Sequence, residues 1–254
     1  MTWLPLPLIE RAQSLRERLT GQRVLITGAA GGLGGALAKQ AATAGAELVL
    51  LDKNLAGLEA LHDEIESMGL AQPALYPLDF LGASPEDYAE LAERLESALG
   101  GLDALVHAAA DIGQPAPLQM YDIESWLKTL HVNTNAPFLL TQALMGQLRA
   151  SHGCVILVSD RCGREGQSAM GAYGVSKWAL EGLTQTLAAE YSVNHPVRAC
   201  SVDTGPMCTA LRRGAYAGEM ADEVPDPKHA ARAMLALLDP KHPPKNGGCY
   251  QVNL

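Results

Sequence analysis

Five glycines stand close together at Gly28, Gly31, Gly32, Gly34 and Gly35. A short apolar run, Val24-Leu25-Ile26, precedes them, and Ala36, Leu37 and Ala38 begin a helix-forming segment after them. Strand, glycine-rich turn and helix start together make an anion-binding element. Glycine lets the backbone approach a pyrophosphate, and the first helical N–H groups point at it with the helix dipole behind them. Such turns are common, and a merely tight strand-to-helix turn would read the same way alone. The second apolar run, Leu48-Val49-Leu50-Leu51, adds weight because it ends in Asp52, 18 residues after Gly34. A dinucleotide-binding βαβ unit places there the acid that holds the adenosine ribose.

The elements that must position these residues alternate along the chain. Strands are expected at about 22–27, 48–51, 73–78, 104–107, 154–159, 197–202 and 248–253. Between them, Gly45 ends the first helix of the unit, and Asn54 caps a helix carrying Leu55, Leu58, Leu61, Ile65 and Met68 at helical spacing. Ser84-Pro85-Glu86 starts another, broken by Gly100-Gly101. A long helix over 122–150 contains Pro137, which should bend it. Further helices are expected over 171–192 and 228–238, and a short charged one over 8–19 would precede the domain as an N-terminal extension (residues 1–20). Residues 206–227, interrupted by Gly214, Gly218 and Pro225, read as a mobile substrate flap. Strands alternating with helices imply an α/β fold, a doubly wound parallel sheet of about seven strands with helices on both faces, in a single domain spanning 1–254.

Composition narrows the partners. The 254 residues are 48% hydrophobic, enough for a sizeable core, and no apolar run approaches a membrane span. The opening MTWLPLPLIERAQ makes a poor signal peptide. A net charge of −9 argues against nucleic acid and anionic membrane as partners. Cys154, Cys162, Cys200, Cys208 and Cys249 form no CxxC pair and suit a reduced, cytoplasmic protein. The seven histidines show no ligand spacing, so no metal is expected.

With these landmarks in order, the chain resembles the short-chain dehydrogenase/reductase family. The landmarks are Thr27-Gly28-Ala29-Ala30-Gly31-Gly32-Leu33-Gly34, Asp79, Asn133, Tyr173-Gly174-Val175-Ser176-Lys177, and Gly205-Pro206-Met207-Cys208-Thr209. The stretch GREGQSAMGAYGVSKWALEG further resembles the YciK-like bacterial oxidoreductases. The resemblance implies a Rossmann-fold enzyme transferring hydride between a nicotinamide cofactor and an alcohol or carbonyl substrate. It implies that Tyr173 is the proton donor, that Lys177 on the same helix face lowers the phenol's pKa and holds the nicotinamide ribose, and that Asn133 bends its helix and anchors a water leading to Lys177. Cofactor contacts would come from Gly28, Gly32, Leu33, Gly34, Asp52, Asp79, Phe80, Ala108, Ala109, Tyr173, Lys177, Gly205 and Thr209. Asp79 would receive the adenine amine and Thr209 the nicotinamide carboxamide. Without the resemblance, Tyr173 and Lys177 would read as an exposed helix start, and Asn133 as a polar residue back-bonding to its own turn.

The chain departs from the family at several points. Where members carry a serine 13 residues before the tyrosine, Asp160 stands here, and Ser159 is one residue too early to face the same way. An ionised Asp160 accepts only, repels a developing oxyanion and competes for Lys177. At ~4 Å and an effective dielectric of ~20 such a charge is worth about 4 kcal/mol. A protonated Asp160 would donate as serine does, and one turned away would pair with Arg161 or Arg164. His107-Ala108-Ala109-Ala110 replaces the usual Asn-Asn-Ala-Gly, and Asp203-Thr204 replaces Asn-Pro.

Asp52 accepts from both ribose hydroxyls and repels a 2′-phosphate, which favours NAD over NADP; Lys53 softens that preference. Two functions stay open: an NAD(P)-dependent oxidoreductase, or a catalytically impaired relative that serves in binding or regulation. The helices over 122–150 and 171–192, the second offering Trp178, Leu180, Leu183 and Leu187, point to a homodimer or homotetramer.

Overall fold

Eight parallel strands form a single sheet among the described residues, which are 3–6, 17–191 and 197–252 of the computed structural model. In chain order they are β1 (Leu4–Pro5), β2 (Arg23–Thr27), β3 (Glu47–Asp52), β4 (Ala74–Pro77), β5 (Ala104–His107), β6 (Cys154–Ser159), β7 (Arg198–Asp203) and β8 (Gly248–Gln251). The helices are α1 (Gly32–Thr43), α2 (Leu55–Ser67), α3 (Pro85–Leu99), α4 (Ile123–Leu130), α5 (Ala136–Ser151), α6 (Gly171–Glu190), α7 (Ala210–Ala215) and α8 (Pro227–Leu238). The sheet order is β1-β8-β7-β6-β5-β2-β3-β4. The chain therefore winds outward from β2 through β3 and β4, crosses to β5, and winds out the other way. The crevice at the carboxyl ends of β2 and β5 is the switch point where such sheets bind ligands.

Continuous apolar strands build two cores. Val24, Ile26, Leu48, Leu50, Val106 and Ile156 face one side and pack with Leu37 of α1, Leu58 and Ile65 of α2, and Met234 and Leu235 of α8. Their neighbours Leu25, Val49, Leu51, Leu105, Val155 and Leu157 face the other side, against Leu91 of α3, Leu144 of α5 and Leu180 of α6. The strand not expected is β1, whose Leu4 and Pro5 pair with Tyr250 and Gln251. Proline is tolerated there because β1 is an edge. Most of the short helix expected over 8–19 lies outside the described residues; residues 17–21 form a turn.

The long helix expected over 122–150 is not one bent helix. It is α4, a π-helical turn at His131–Asn135, and α5. Pro137 has no N–H to give the carbonyl four residues back, and the chain widens by one residue per turn just before it. The start of α3 follows its sequence signals: the Ser84 backbone N–H donates to Asp87 Oδ2 at 2.7 Å in a capping box, and Pro85 follows. Leu180 and Leu187, expected on an exposed patch, are buried in the core at 2% and 8% exposure. The surface of α6 instead offers Val175 and Trp178, and Phe138 of α5 and Ile123 and Leu127 of α4 are exposed as well.

Candidate active site

A cleft of about 690 Å³ opens along the carboxyl edge of the sheet, lined from the ends of β2, β3, β5, β6 and β7. It brings together Gly28, Gly32, Leu33, Gly34, Asp52, Asp79, Phe80, Ala108, Ala109, Asp160, Tyr173, Lys177, Gly205 and Thr209.

At one end the glycine turn does what its sequence requires. Gly28 has φ +69°, and a side chain there would meet Ala109 Cα at 2.7 Å. A side chain on Gly34 would collide with the Gly28 carbonyl oxygen. The N-terminus of α1 is closed by Gly31 with no side-chain cap, whereas Asn54, Ser84 and Asp122 cap α2, α3 and α4. Uncapped N–H groups beside a side-chain-free turn fit a pyrophosphate. Asp52 is held by two backbone donors, Ala30 N to Oδ2 at 3.1 Å and Asn54 N to Oδ1 at 3.0 Å. Asp79 Oδ1 accepts from Leu81 N at 3.1 Å. The Phe80 ring is buried against Tyr88, and its carbonyl oxygen bonds His131.

The turn after β5 is tied by a residue whose part was not foreseen. Thr27 Oγ1 accepts from the N–H groups of both Ala108 and Ala109 at 3.1 Å, a bridge between neighbouring strand ends where the family's asparagines are missing. His107 points away from the cleft: its Nε2 bonds Thr141 Oγ1 at 2.8 Å, and burial pushes its pKa down to about 3. Asn133 sits in the π turn, and its side chain clamps the loop beyond. Nδ2 donates to the Asp111 carbonyl at 2.8 Å and to Ser176 Oγ at 3.0 Å, while Oδ1 accepts from Asp111 N at 2.7 Å. It does not back-bond to its own turn.

At the other end, Tyr173 and Lys177 are one turn apart on α6, both buried. Lys177 Nζ donates to the Val158 carbonyl at 2.8 Å and lies 5.2 Å from the Tyr173 ring centroid. The Tyr173 hydroxyl donates to Asp160 Oδ2 at 3.3 Å. Asp160 Oδ1 accepts from Cys162 N at 2.9 Å. Asp160 has therefore not turned away: Arg161 pairs with Glu165 at 2.9 Å and Arg164 with Glu181 at 2.6 Å. Ser159 does not substitute for it. Its hydroxyl is buried without a partner, while the tyrosine is bonded to Asp160. The expected lowering of the phenol's pKa is overturned. Burial first, and then the Asp160 charge, hold Tyr173 well above the ordinary range, and burial lowers Lys177.

Asp203, the last residue of β7, adds a buried carboxylate to the cleft beside the half-buried Asp160. Its Oδ1 accepts from Gly205 N at 2.9 Å, and burial raises its pKa. The sequence signal was the replacement of asparagine at a strand end. Thr209 caps α7, accepting from Arg212 N at 3.2 Å, and its methyl lies where a side chain on Gly32 would. His62, Asp63 and Glu66 cluster on α2, but this group contributes nothing to the cleft.

The residues thus fit a dinucleotide cofactor lying from the glycine turn to Tyr173. Residues 22–219 match the model of the short chain dehydrogenase family. The chain is 31% identical over 241 residues to the oxidoreductase YciK of Escherichia coli (strain K12), covering 94% of this chain and 95% of that one. A short chain dehydrogenase structure from Pseudomonas syringae is 38% identical with a TM-score of 0.90, covering 99% of this chain and 98% of that one. One from Escherichia coli CFT073, complexed with NADPH, is 33% identical with a TM-score of 0.88, covering 92% and 98%. The uncapped helix start, Asp52 and the Tyr173–Lys177 pair gather at one parallel switch point, and this chain is a nicotinamide-dependent oxidoreductase that belongs to the short-chain dehydrogenase family.

Proposed function

We propose that the cleft exchanges hydride between a nicotinamide cofactor and the hydroxyl or carbonyl carbon of a small or medium-sized molecule. The observation that carries this reading is the hydrogen bond from Tyr173 to Asp160. With its hydrogen turned to Asp160, the phenol oxygen presents a lone pair to the cleft and accepts from a substrate O–H. In alcohol oxidation the substrate proton passes to Tyr173 as Tyr173's own passes to Asp160; carbonyl reduction retraces that path from the acid form of Asp160. Bound nicotinamide supplies or takes the hydride. Lys177 holds the centre from below through Val158, and its charge offsets that of Asp160. The 3.3 Å separation is loose, as catalytic hydrogen bonds commonly are before substrate binds. Screening an alcohol panel for cofactor reduction tests the reading. Activity that survives Tyr173→Phe would count against it. Relatives named as oxidoreductases and dehydrogenases favour this reading over the alternative of an idle binding or regulatory protein.

The NADPH carried by the Escherichia coli neighbour favours NADP over the NAD expected from Asp52. Asp52 opposes a 2′-phosphate, while Lys53 lines the same end of the cleft and offers it a counter-charge. NADP is therefore accepted despite Asp52, with NAD close behind it in affinity. Residues 206–227 form the flap: Pro206, Met207, Leu211 and Tyr216 line the cleft. Exposed Val175, Trp178 and Phe138 support a homodimer or homotetramer, which light scattering would reveal by a mass above 26.9 kDa. Among the described residues no helix is long and apolar enough to cross a membrane. Five cysteines in no CxxC pair favour the cytoplasm, a placement that a fluorescent fusion would test.

A further inference from the structure

The polar groups around Tyr173 suit a reacting atom that arrives carrying hydrogen and positive charge. Both Asp160 oxygens accept, one from Cys162 N and one from the tyrosine. Asp203 adds a buried carboxylate to the same cleft. Lys177 gives its Nζ to the Val158 carbonyl. Arg161 and Arg212, also in the lining, are paired with Glu165 and Glu219. A ketone oxygen gaining negative charge would face the acceptor-only carboxylate of Asp160. A protonated imine nitrogen brings that carboxylate an N–H, and its positive charge is stabilised there until hydride transfer removes it.

We propose that this centre also reduces the C=N bond of protonated imines, with Asp160 holding the N–H, and prefers them to ketones of the same shape. The proposal rests on the hydride-transfer reading above. The imine carbon receives the hydride and forms the new C–H bond. The C=N π pair becomes the nitrogen lone pair. The substrate is reduced and the nicotinamide oxidised. The nitrogen keeps its hydrogen, so no acid delivers a proton during the step. Tyr173, held well above the ordinary phenol range by burial and Asp160, is then not needed as that acid.

The test compares 1-pyrroline with cyclopentanone as substrates, and pyrrolidine with cyclopentanol as ligands of the protein with oxidised cofactor. Wild type should show kcat/KM for 1-pyrroline at least about tenfold above that for cyclopentanone. Asp160→Ser should bring that ratio below one. Tyr173→Phe should keep 1-pyrroline reduction within about tenfold of wild type while abolishing cyclopentanol oxidation. By calorimetry, pyrrolidine, cationic at neutral pH, should bind at least about tenfold more tightly than cyclopentanol, and Asp160→Asn should remove the difference. Where a variant fails to bind cofactor or unfolds early, the wild-type ratios decide alone. Cyclopentanone reduced as fast as 1-pyrroline, or pyrrolidine bound no tighter than cyclopentanol, overturns the C=N proposal and leaves the alcohol reading standing. Cofactor bound with no hydride exchange on any of the probes overturns both.

Discussion

The Tyr173 hydroxyl lies 3.3 Å from Asp160 Oδ2 and donates to it. That one contact reverses the usual polarity of the family's centre. The position that ordinarily supplies a second donor to the substrate supplies an acceptor to the tyrosine, and in the proposed reaction the phenol oxygen would meet the substrate as a lone pair. The tyrosine is held well above the ordinary range by burial and then by Asp160.

The relay through Asp160 is slower than direct donation: in Asp160→Ser the Tyr173 hydrogen is free to turn to the substrate oxygen and a neutral donor replaces a repelling acceptor, so carbonyl reduction should rise. Every ~1.4 kcal/mol recovered is worth about tenfold in rate, and a gain of about 10- to 100-fold in kcat/KM for a simple ketone is expected at neutral pH. Alcohol oxidation should rise in parallel, because without the Asp160 charge Tyr173 ionises more readily beside Lys177 and takes the substrate proton itself. Tyr173→Phe in the serine background should abolish the gain. A serine variant no faster than wild type would show that the aspartate is no handicap.

Asp52→Ala should weaken NAD and strengthen NADP, shifting their affinity ratio by about tenfold or more. The substitution removes an acceptor held in place by Ala30 N and Asn54 N, and also the charge that repels a 2′-phosphate. Titration of the variant with both cofactors reads the ratio directly, and an unmoved ratio would take the ribose away from Asp52.

His107 should make the fold acid-sensitive. It is buried neutral with its pKa pushed down to about 3, while the unfolded chain takes up a proton near the ordinary 6.5. Its contribution is present in full above pH 6.5 and is lost as pH falls from there toward 3. Complete loss amounts to on the order of 4–5 kcal/mol. His107→Asn should flatten the pH dependence of urea stability across that window. An unchanged slope would mean that His107 charges in the folded state at its ordinary pKa.

Glu181 lies one turn beyond Lys177 on α6 and anchors the segment that follows Asp160. It pairs with Arg164 at 2.6 Å and accepts from Ser201 Oγ at 2.7 Å. The Arg164 guanidinium in turn covers the Trp3 ring at 4.1 Å. Glu181→Ala leaves a buried guanidinium without its partner and should cost about 3–5 kcal/mol in denaturant unfolding. A loss below ~1 kcal/mol would show that water reaches the site.

Much of this was legible in the residues. Val24-Leu25-Ile26 and Cys154–Ser159 are apolar on both faces, and only a strand buried on both sides needs that. The glycine turn, Asp52 and the spacing from Tyr173 to Lys177 were readable because backbone approach and helix periodicity fix them. What escaped depends on contacts between distant segments. Leu180 and Leu187 have helical spacing that fits a surface patch, and only their packing under the sheet shows them to be core. Thr27 ties Ala108 and Ala109 across 81 and 82 residues, which no local pattern announces. Asp160 could be read three ways until its partners were seen, because its direction depends on where Arg164 finds Glu181. The edge strand β1 is two residues long and ends in Pro5, a residue that argues against any strand but an edge one.

Hydride transfer at Tyr173 is most directly tested with an alcohol deuterated at its carbinol carbon, chosen from those that reduce the cofactor in the panel. The account predicts that deuterium appears on the nicotinamide ring, that turnover slows relative to the undeuterated alcohol, and that both signals vanish in Tyr173→Phe while cofactor binding persists. Cofactor bound normally, with no deuterium reaching the ring from any alcohol tried, would contradict it.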